Sequence, residues 1–383
     1  MYKESYSVAV KLRWWFLCFL GVLFLLTGSS GTRSAIGISD EYWVGVAPVH
    51  IQKTADPQYQ NYLPIIQNTE QDPIPDYLDQ LDFDRMVEHT SVLVNQYGPR
   101  HHDYYQVFAD SGCNFGPPTF SNHNLIRASV YVYHKFEEFG YTPYSEYVPD
   151  WYETENILAK KTGSEYPDTY IELGAHVDTV ATTSGASDNA GGVAAMLEIA
   201  RVLRNYPNRH SLRFISFVGE ENYLKGSRYH VKLIDTSGEG VKAGLIMDGI
   251  GWSESAPEHM NCLWDNGDGE TRRLSNMFNS VRNEYGIDIN WRLCSPSGQW
   301  SDNWAYWERQ LPAVLSIGGL PYSDPHYHQC GDNMGSISMY NVFKTAQENL
   351  AVLLKLDAED SNPADYLPGK SDPALPQVER PSH

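Results

Sequence analysis

His176, Asp188, the adjacent Glu220 and Glu221, Asp248 and His328 offer imidazole nitrogen and carboxylate oxygen only. These are donors that zinc takes in catalytic sites that keep one position open for water. Six such groups are more than one tetrahedral ion can use. They divide into a cage for two divalent cations sharing a carboxylate, with one further carboxylate left as a base. Two ions held about 3.5 to 4 Å apart polarise a carbonyl and lower the pKa of a water together. Adjacent side chains in an extended segment diverge, so one glutamate of the pair faces the ions and the other the substrate. The base must reach both the attacking water and the leaving amine. Asp178, two residues past His176, falls on the same face at a strand end and is placed to fix the histidine's surroundings. Taken singly, each residue reads as a hydrogen-bonded or surface group. Asp188-Asn189 before Ala190-Gly191-Gly192 also reads as a helix N-cap, and a capping loop can still present a ligand.

Position along the chain supports the set. The pieces are Gly174-Ala175-His176-Val177-Asp178, Ser187-Asp188-Asn189-Ala190-Gly191-Gly192, Gly219-Glu220-Glu221, Met247-Asp248-Gly249 and Tyr327-His328. The runs 170–173, 212–218 and 243–247 are short, apolar and rich in branched or aromatic residues, which suits strands buried on both faces. The polar groups therefore fall at strand ends, where open parallel sheets bind ligands. Between them, 190–205 carries Val193, Met196, Leu197, Ala200 and Leu203 at helical spacing. This alternation implies an α/β fold with a central mixed, mostly parallel sheet and helices on both faces.

The ordered set resembles the zinc-dependent exopeptidases of peptidase family M28, the secreted bacterial leucyl-type aminopeptidases, over roughly residues 80 to 356. Further matches are Asn156-Ile157-Leu158-Ala159, Gly226-Ser227, Ser301-Asp302 before Trp304, and Asp332 four residues past His328. The resemblance implies a phosphorylase/hydrolase-like fold and two Zn2+ per chain. His176 and Asp248 would hold one ion, Glu221 and His328 the other, and Asp188 would bridge them. It makes Glu220 the general base and Asp178 the residue that orients His176. It also implies a cis peptide between Asp188 and Asn189. Relatives often place a threonine after the last histidine, where this chain has Gln329. His328 fits the pattern better than His326, because Tyr327 precedes it and Asp332 follows. The same family includes one-zinc glutaminyl cyclases, carboxypeptidase-type members and inactive ectodomains. Retention of every ligand and of Glu220 argues against an inactive binding ectodomain.

Composition sets the frame. The chain has 383 residues, 42% hydrophobic and 20% charged, enough for one large α/β domain with extra segments. Acidic residues outnumber basic ones 48 to 28 for a net charge of -20, and no compact basic run is visible. That excludes nucleic acid as a partner class, since phosphate binding needs clustered Lys and Arg. The acidic excess is read as a solubility feature.

Lys3, Lys11 and Arg13 precede an apolar run over 14–26, followed by Thr27-Gly28-Ser29-Ser30-Gly31. The run fits a signal-peptide core and falls short of the ~18 residues of a spanning helix. Residues 1–31 are thus expected to direct export, to a secreted or periplasmic location, or to anchor the chain in a membrane if uncleaved. Cys18 lies in that segment. Cys113, Cys262, Cys294 and Cys330 remain, an even number with three possible disulfide pairings. The resemblance implies a bridge from just before the Ser-Asp element, but Trp300 stands there. Zinc ligation by Cys330 is the rival reading, against which the spread of the four cysteines speaks.

Residues 32–78 form an extension, with a candidate strand at 41–46, expected to pack on a peptidase domain over 79–357. A helix is expected over 121–140. Residues 358–383 hold several prolines and no periodic apolar face, so a disordered tail is expected. Trp264, Trp291, Trp300, Trp304 and Tyr306 are candidates for a specificity wall, with core packing as the competing reading. Asp265, Asp268 and Glu270 are candidates for attracting a free amine, with a solvated loop as the competitor. The combined expectation is a monomeric dizinc aminopeptidase acting on peptides.

Overall fold

The computed structural model describes residues 72–102, 113, 124–149, 154–253, 259–294, 301–319 and 323–367. The export segment, the candidate strand at 41–46, most of the 32–78 extension, Trp300 and residues 368–383 lie outside the described residues.

Eight strands form one sheet: β1 (Tyr144–Tyr147), β2 (Glu155–Lys161), β3 (Tyr166–His176), β4 (His210–Phe217), β5 (Gly240–Met247), β6 (Met260–Trp264), β7 (Asn290–Leu293) and β8 (Ala313–Ile317). Their order is β1-β2-β4-β3-β5-β8-β6-β7. The central strands β4, β3, β5 and β8 are mutually parallel, β1 and β2 add antiparallel at one edge, and β6 pairs antiparallel to β8 while β7 follows it in parallel. The sheet is therefore mixed with a parallel centre, and the carboxyl ends of the four central strands point the same way.

The helices are α1 (Ile74–Leu78), α2 (Phe83–Asn95), α3 (Asn124–Glu138), α4 (Gly191–Leu203), α5 (Lys225–Ser237), α6 (Gly269–Tyr285), α7 (Asn303–Trp307) and α8 (Met339–Ala358). Alternation of side chains along each strand builds two cores. Leu245 and Met247 join α1 to α4, α6 and α8 on one face, while Ile246 joins α5 and α7 on the other. Helix α4 is buried almost all round, beyond the single stripe its sequence shows, because α2 and α8 cover its outer side. Side-chain caps start three helices: Asp82 accepts from Arg85 N, Asp268 from Thr271 N and Ser338 from Asn341 N.

At the described end of the 32–78 extension, Ile74 and Leu78 are buried in the α8 core. The tail expected to be disordered from 358 is ordered as far as 367 and includes a 3-10 turn, Pro363–Tyr366. Polar anchoring substitutes for the missing apolar face: Ser361 Oγ lies 2.6 Å from His210 Nε2 and accepts from Lys242 Nζ at 2.9 Å, and Arg209 donates to Ala358 O at 2.6 Å.

Candidate metal centre

His176, the glutamate pair and Asp248 lie at the carboxyl ends of central strands, and Asp188 and His328 are brought to them by loops. His176 closes β3, beside Phe217 of β4 in the register. The chain leaves β4 through Gly219, whose φ of +68° favours glycine, and presents Glu220 and Glu221 at once. Asp248 follows β5 directly. Asp188 sits in an irregular turn, Ala186–Ala190, ahead of α4, and the Asp188–Asn189 peptide is cis, as the resemblance implies. A Cβ at Gly192 would stand 2.2 Å from Asn189 Oδ1, so the start of α4 needs glycine there. His328 lies in the loop between β8 and α8.

These residues converge into two groups that share Asp188. His176 Nε2 lies 3.2 Å from Asp188 Oδ1 and 3.2 Å from Asp248 Oδ1. His328 Nε2 lies 3.3 Å from Asp188 Oδ2 and 3.2 Å from Glu221 Oε2. Donor atoms of His176, Asp188 and Asp248 lie within 4.8 Å of one another, as do those of Asp188, Glu221 and His328. A third such group, His176 with Glu220 and Glu221, places Glu220 within reach of the same space. His326 turns elsewhere: its ring packs over Gly331 and its N–H donates to Asp324.

The surrounding groups hold this geometry. The Asp178 carboxylate accepts the backbone N–H of both Glu220 and Glu221 at 3.2 Å. Its own backbone carbonyl lies 3.2 Å from His176 Nδ1, closer than its carboxylate at 3.7 Å. Asp178 therefore fixes the glutamate turn with its side chain and the histidine chiefly with its main chain. Asp332 accepts from Ser187 N at 2.7 Å and Asp188 N at 3.2 Å. The loop bearing His328 is fastened by Thr182 Oγ1 donating to His328 O and by a Cys113–Cys330 disulfide. That disulfide rules Cys330 out as a thiolate ligand, and Cys262–Cys294 is the second pair.

Arg100 is the residue sequence reasoning missed. Fully buried, it donates to the carbonyls of Leu93, Val177, Ser184 and Gly185, bracing both ends of the loop from His176 to Asp188. Its type and setting after Gly98-Pro99 do not distinguish it from a surface arginine. Only its burial does.

The electrostatics call for positive charge. Burial opposes charge on His328, yet Glu221 and Asp188 hold its pKa up to about 11. Burial likewise opposes charge on His176, which Asp248, Asp178 and Asp188 hold well above the imidazole range. Asp188 is depressed despite its burial, by the two histidines. Beneath them, burial pushes Asp302 up to about 7, against the pull of His176 and aided by Asp178 and Asp248. Glu221 Oε1 is buried with no hydrogen-bond partner among the described residues. An all-nitrogen-and-oxygen donor set with such an orphaned oxygen fits zinc.

A cavity opens beside the ligands, lined by Asp188, Glu220, Asp248, Trp252, Leu315, Ile317, Asp324 and Tyr327 among others. Tyr327 stacks on His328 at 3.8 Å between ring centres. Most of the aromatics proposed for the specificity wall serve elsewhere. Trp264 and Tyr306 are core, Tyr306 donating to Glu172, and Trp304 donates to Glu308. Trp252 and Tyr327 provide the aromatic wall. The candidate amine-binding acids serve α6: Asp265 pairs with Arg272, Asp268 caps the helix and Glu270 pairs with Arg273.

A mixed sheet with nitrogen and oxygen ligands gathered at its central carboxyl ends defines an α/β protein of the zinc-exopeptidase fold. The chain belongs to peptidase family M28, whose sequence profile matches residues 156–354, just over half of it. It is 30% identical over 193 residues to aminopeptidase YwaD of Bacillus subtilis, a match covering 48% of this chain and 41% of that protein. Leucine aminopeptidase 2 of Trichophyton rubrum is 28% identical over 216 residues, covering 50% and 42%. The matches thus span less than half the length of these two relatives. Among solved structures, the LapA aminopeptidase of Legionella pneumophila superposes with a TM-score of 0.64 at 20% identity, covering 83% of this chain and 79% of that one. A glutaminyl cyclase of Bacteroides thetaiotaomicron superposes with 0.55 at 19% identity, covering 72% and 98%. These two likenesses establish the fold.

Proposed function

We propose that the protein is a zinc-dependent aminopeptidase that releases the first residue of peptides, with two zinc ions per chain. The observation that carries this reading is the sharing of Asp188, whose two oxygens face two separate histidine–carboxylate pairs. His176 and Asp248 would hold one ion, Glu221 and His328 the other, and Asp188 both. When bound, zinc supplies Lewis acidity, polarising a peptide carbonyl and making water acidic enough to ionise near neutral pH. The chain's own residues do the rest. Glu220, which lines the cavity, would take the proton of the attacking water and return it to the leaving amine. Asp178 holds the Glu220 backbone, and so its reach, through one carboxylate. Trp252, Leu315 and Ile317 give the first side chain an apolar wall. The relatives named as aminopeptidases support the class of reaction, and the export segment read at 1–31 supports action on peptides outside the cytoplasm.

The test is metal content together with substrate choice. Purified protein loaded with zinc is expected to hold two ions per chain and to hydrolyse amino-acid arylamides, losing activity on chelation. One ion per chain with turnover of amino-terminal glutaminyl peptides and none of arylamides would instead establish a cyclase.

A further inference from the structure

A second cavity, of about 520 Å³, lies beside α5 and α7, and nothing in the proposed chemistry uses it. Among the described residues its lining includes Lys225, Arg228, Lys232 and Arg309 with one acid, Glu308, in a chain whose net charge is -20. Arg228 forks onto Glu308, with bonds of 3.0 and 2.7 Å, and Arg309 pairs with Asp235. Lys232 is exposed and has no acid partner among the described residues. Among the described lining residues, cations outnumber acids four to one on a molecule that is otherwise strongly acidic.

Location ties this cavity to the metal centre. Tyr223 forms part of its lining and stands two residues after Glu221. Tyr223 and Leu224 both take positive φ, +64° and +59°, which is uncommon for side chains of this size. The turn is pinned by Leu224 N to Glu220 O, Lys225 N to Gly219 O and Gly226 N to Val218 O. Its effect is to bury Leu224 at 2% exposure and turn Tyr223 outward at 65%. The glutamate pair and the cavity's aromatic rim are therefore one fixed unit. Strand β1 runs in the same direction as β4, because each is antiparallel to β2. Val148 and Pro149 of the lining, which follow β1, thus lie at the same sheet end as the metal ligands. From there Lys225, Arg228 and Lys232 descend one face of α5, spanning about 10 Å at 1.5 Å per residue. An extended peptide covers that distance in about three residues.

Resting on the aminopeptidase reading, we propose that this cavity seats the leaving side of the peptide, binding a carboxylate about two to four residues beyond the cleaved bond. The carboxylate is either the free C-terminus of a short peptide or an acidic side chain of a longer one, and Tyr223 packs against the intervening residues. The metal centre would then select the amino end and the cationic cavity an acidic leaving segment, favouring short or acidic peptides.

Four tetrapeptides test this, each starting with the residue whose arylamide is cleaved fastest and continuing Ala-Ala-Ala as acid, Ala-Ala-Ala as amide, Ala-Ala-Asp as amide and Ala-Ala-Lys as amide. At low ionic strength the free acid and the aspartyl amide are expected to show about tenfold lower KM than the lysyl amide at similar kcat, the gap closing as salt rises. Preference for the free acid alone, or the aspartyl amide alone, identifies which source of carboxylate is read. Lys232→Glu should abolish or invert the order and leave arylamide hydrolysis unchanged, since an arylamide has no leaving segment to reach the cavity. Equal KM across the four peptides, or an order unchanged in Lys232→Glu, overturns the assignment while leaving the aminopeptidase reading intact. Failure to cleave any arylamide or peptide removes both.

Discussion

Asp332 Oδ2 accepts the backbone N–H of Asp188 at 3.2 Å, while its other oxygen takes that of Ser187 at 2.7 Å. The loop that carries the candidate ligand His328 therefore also holds the backbone of Asp188, the residue common to both candidate groups. A neutral amide can accept at only one of the two positions and would turn its own N–H groups towards the other. Asp332→Asn is expected to lower zinc affinity about 10- to 100-fold, the usual effect of losing a group that orients a ligand. Competition against a chromogenic chelator measures this. Unchanged affinity at both sites would show that Asp188 is positioned without Asp332.

Glu220 and Glu221 share the Asp178 carboxylate through their backbones but send their side chains to different places, Glu221 against His328 and Glu220 to the wall of the cavity. Glu220→Gln is expected to keep both metals and lose about 10²- to 10⁴-fold in kcat, the range for removing a general base. Glu221→Gln should instead weaken one metal site, because its oxygen lies against His328. Metal analysis beside steady-state kinetics separates the two, since a base acts in the transition state and a ligand before it. Equal metal retention and equal activity in both variants would erase the distinction.

Much of this candidate centre is legible in the sequence because His176, the Glu220-Glu221 pair and Asp248 sit where an apolar strand gives way to small or turn-forming residues. The runs before His176, Glu220 and Asp248 are buried on both faces, so their composition announces them. What holds the ligands is less visible. Arg100 binds backbone carbonyls, and a contact to a carbonyl leaves no mark on residue type. The ordered tail has the same cause: Ser361, His210 and Lys242 fasten it by polar contacts across long sequence separations, where no periodicity can register them. The aromatics between 264 and 306 carry two readings, core and pocket wall, for a related reason. A tryptophan in the core and one in a pocket look alike until the sheet order places β6 and α7.

The Cys113–Cys330 bridge spans 217 residues and ends two residues past His328. A crosslink closing so long a loop typically contributes about 2 to 4 kcal/mol to stability, and here it also restrains the loop that bears His328. The double variant Cys113→Ser/Cys330→Ser is expected to lose zinc preferentially from the His328 site and to melt lower. Cys262→Ser/Cys294→Ser, which joins β6 to the end of β7, should melt lower without that selective metal loss. Stepwise zinc titration of both variants gives the comparison. Identical metal affinities in the two would assign the first bridge to stability alone.

His230 is buried between Glu146 on β1 and Glu172 on β3, and Glu172 also meets Arg213 on β4 and Tyr306 on α7. Burial opposes its charge, but the two carboxylates raise its pKa from 6.5 to about 9. Burial likewise opposes charge on Glu172, which His230 and Arg213 bring down from 4.5 to about 2. The signs then fix the pH window. A histidine raised on folding contributes fully below 6.5 and loses that contribution as pH climbs through about 9. A carboxylate lowered on folding contributes above 4.5 and loses it as pH falls through about 2. The network is therefore strongest between these limits, near pH 5 to 6. His230→Gln leaves Glu146 without its buried cation and Glu172 with Arg213 alone, and is expected to cost about 3 to 5 kcal/mol there, the range for breaking a buried pair. Above pH 9, where wild-type His230 is itself neutral, the difference should shrink by more than half. Denaturant unfolding of metal-depleted wild type and variant at pH 5.5, 7.5 and 9.5 reads the trend. A difference that stays constant across the three would mean that His230 acts by packing and not by charge.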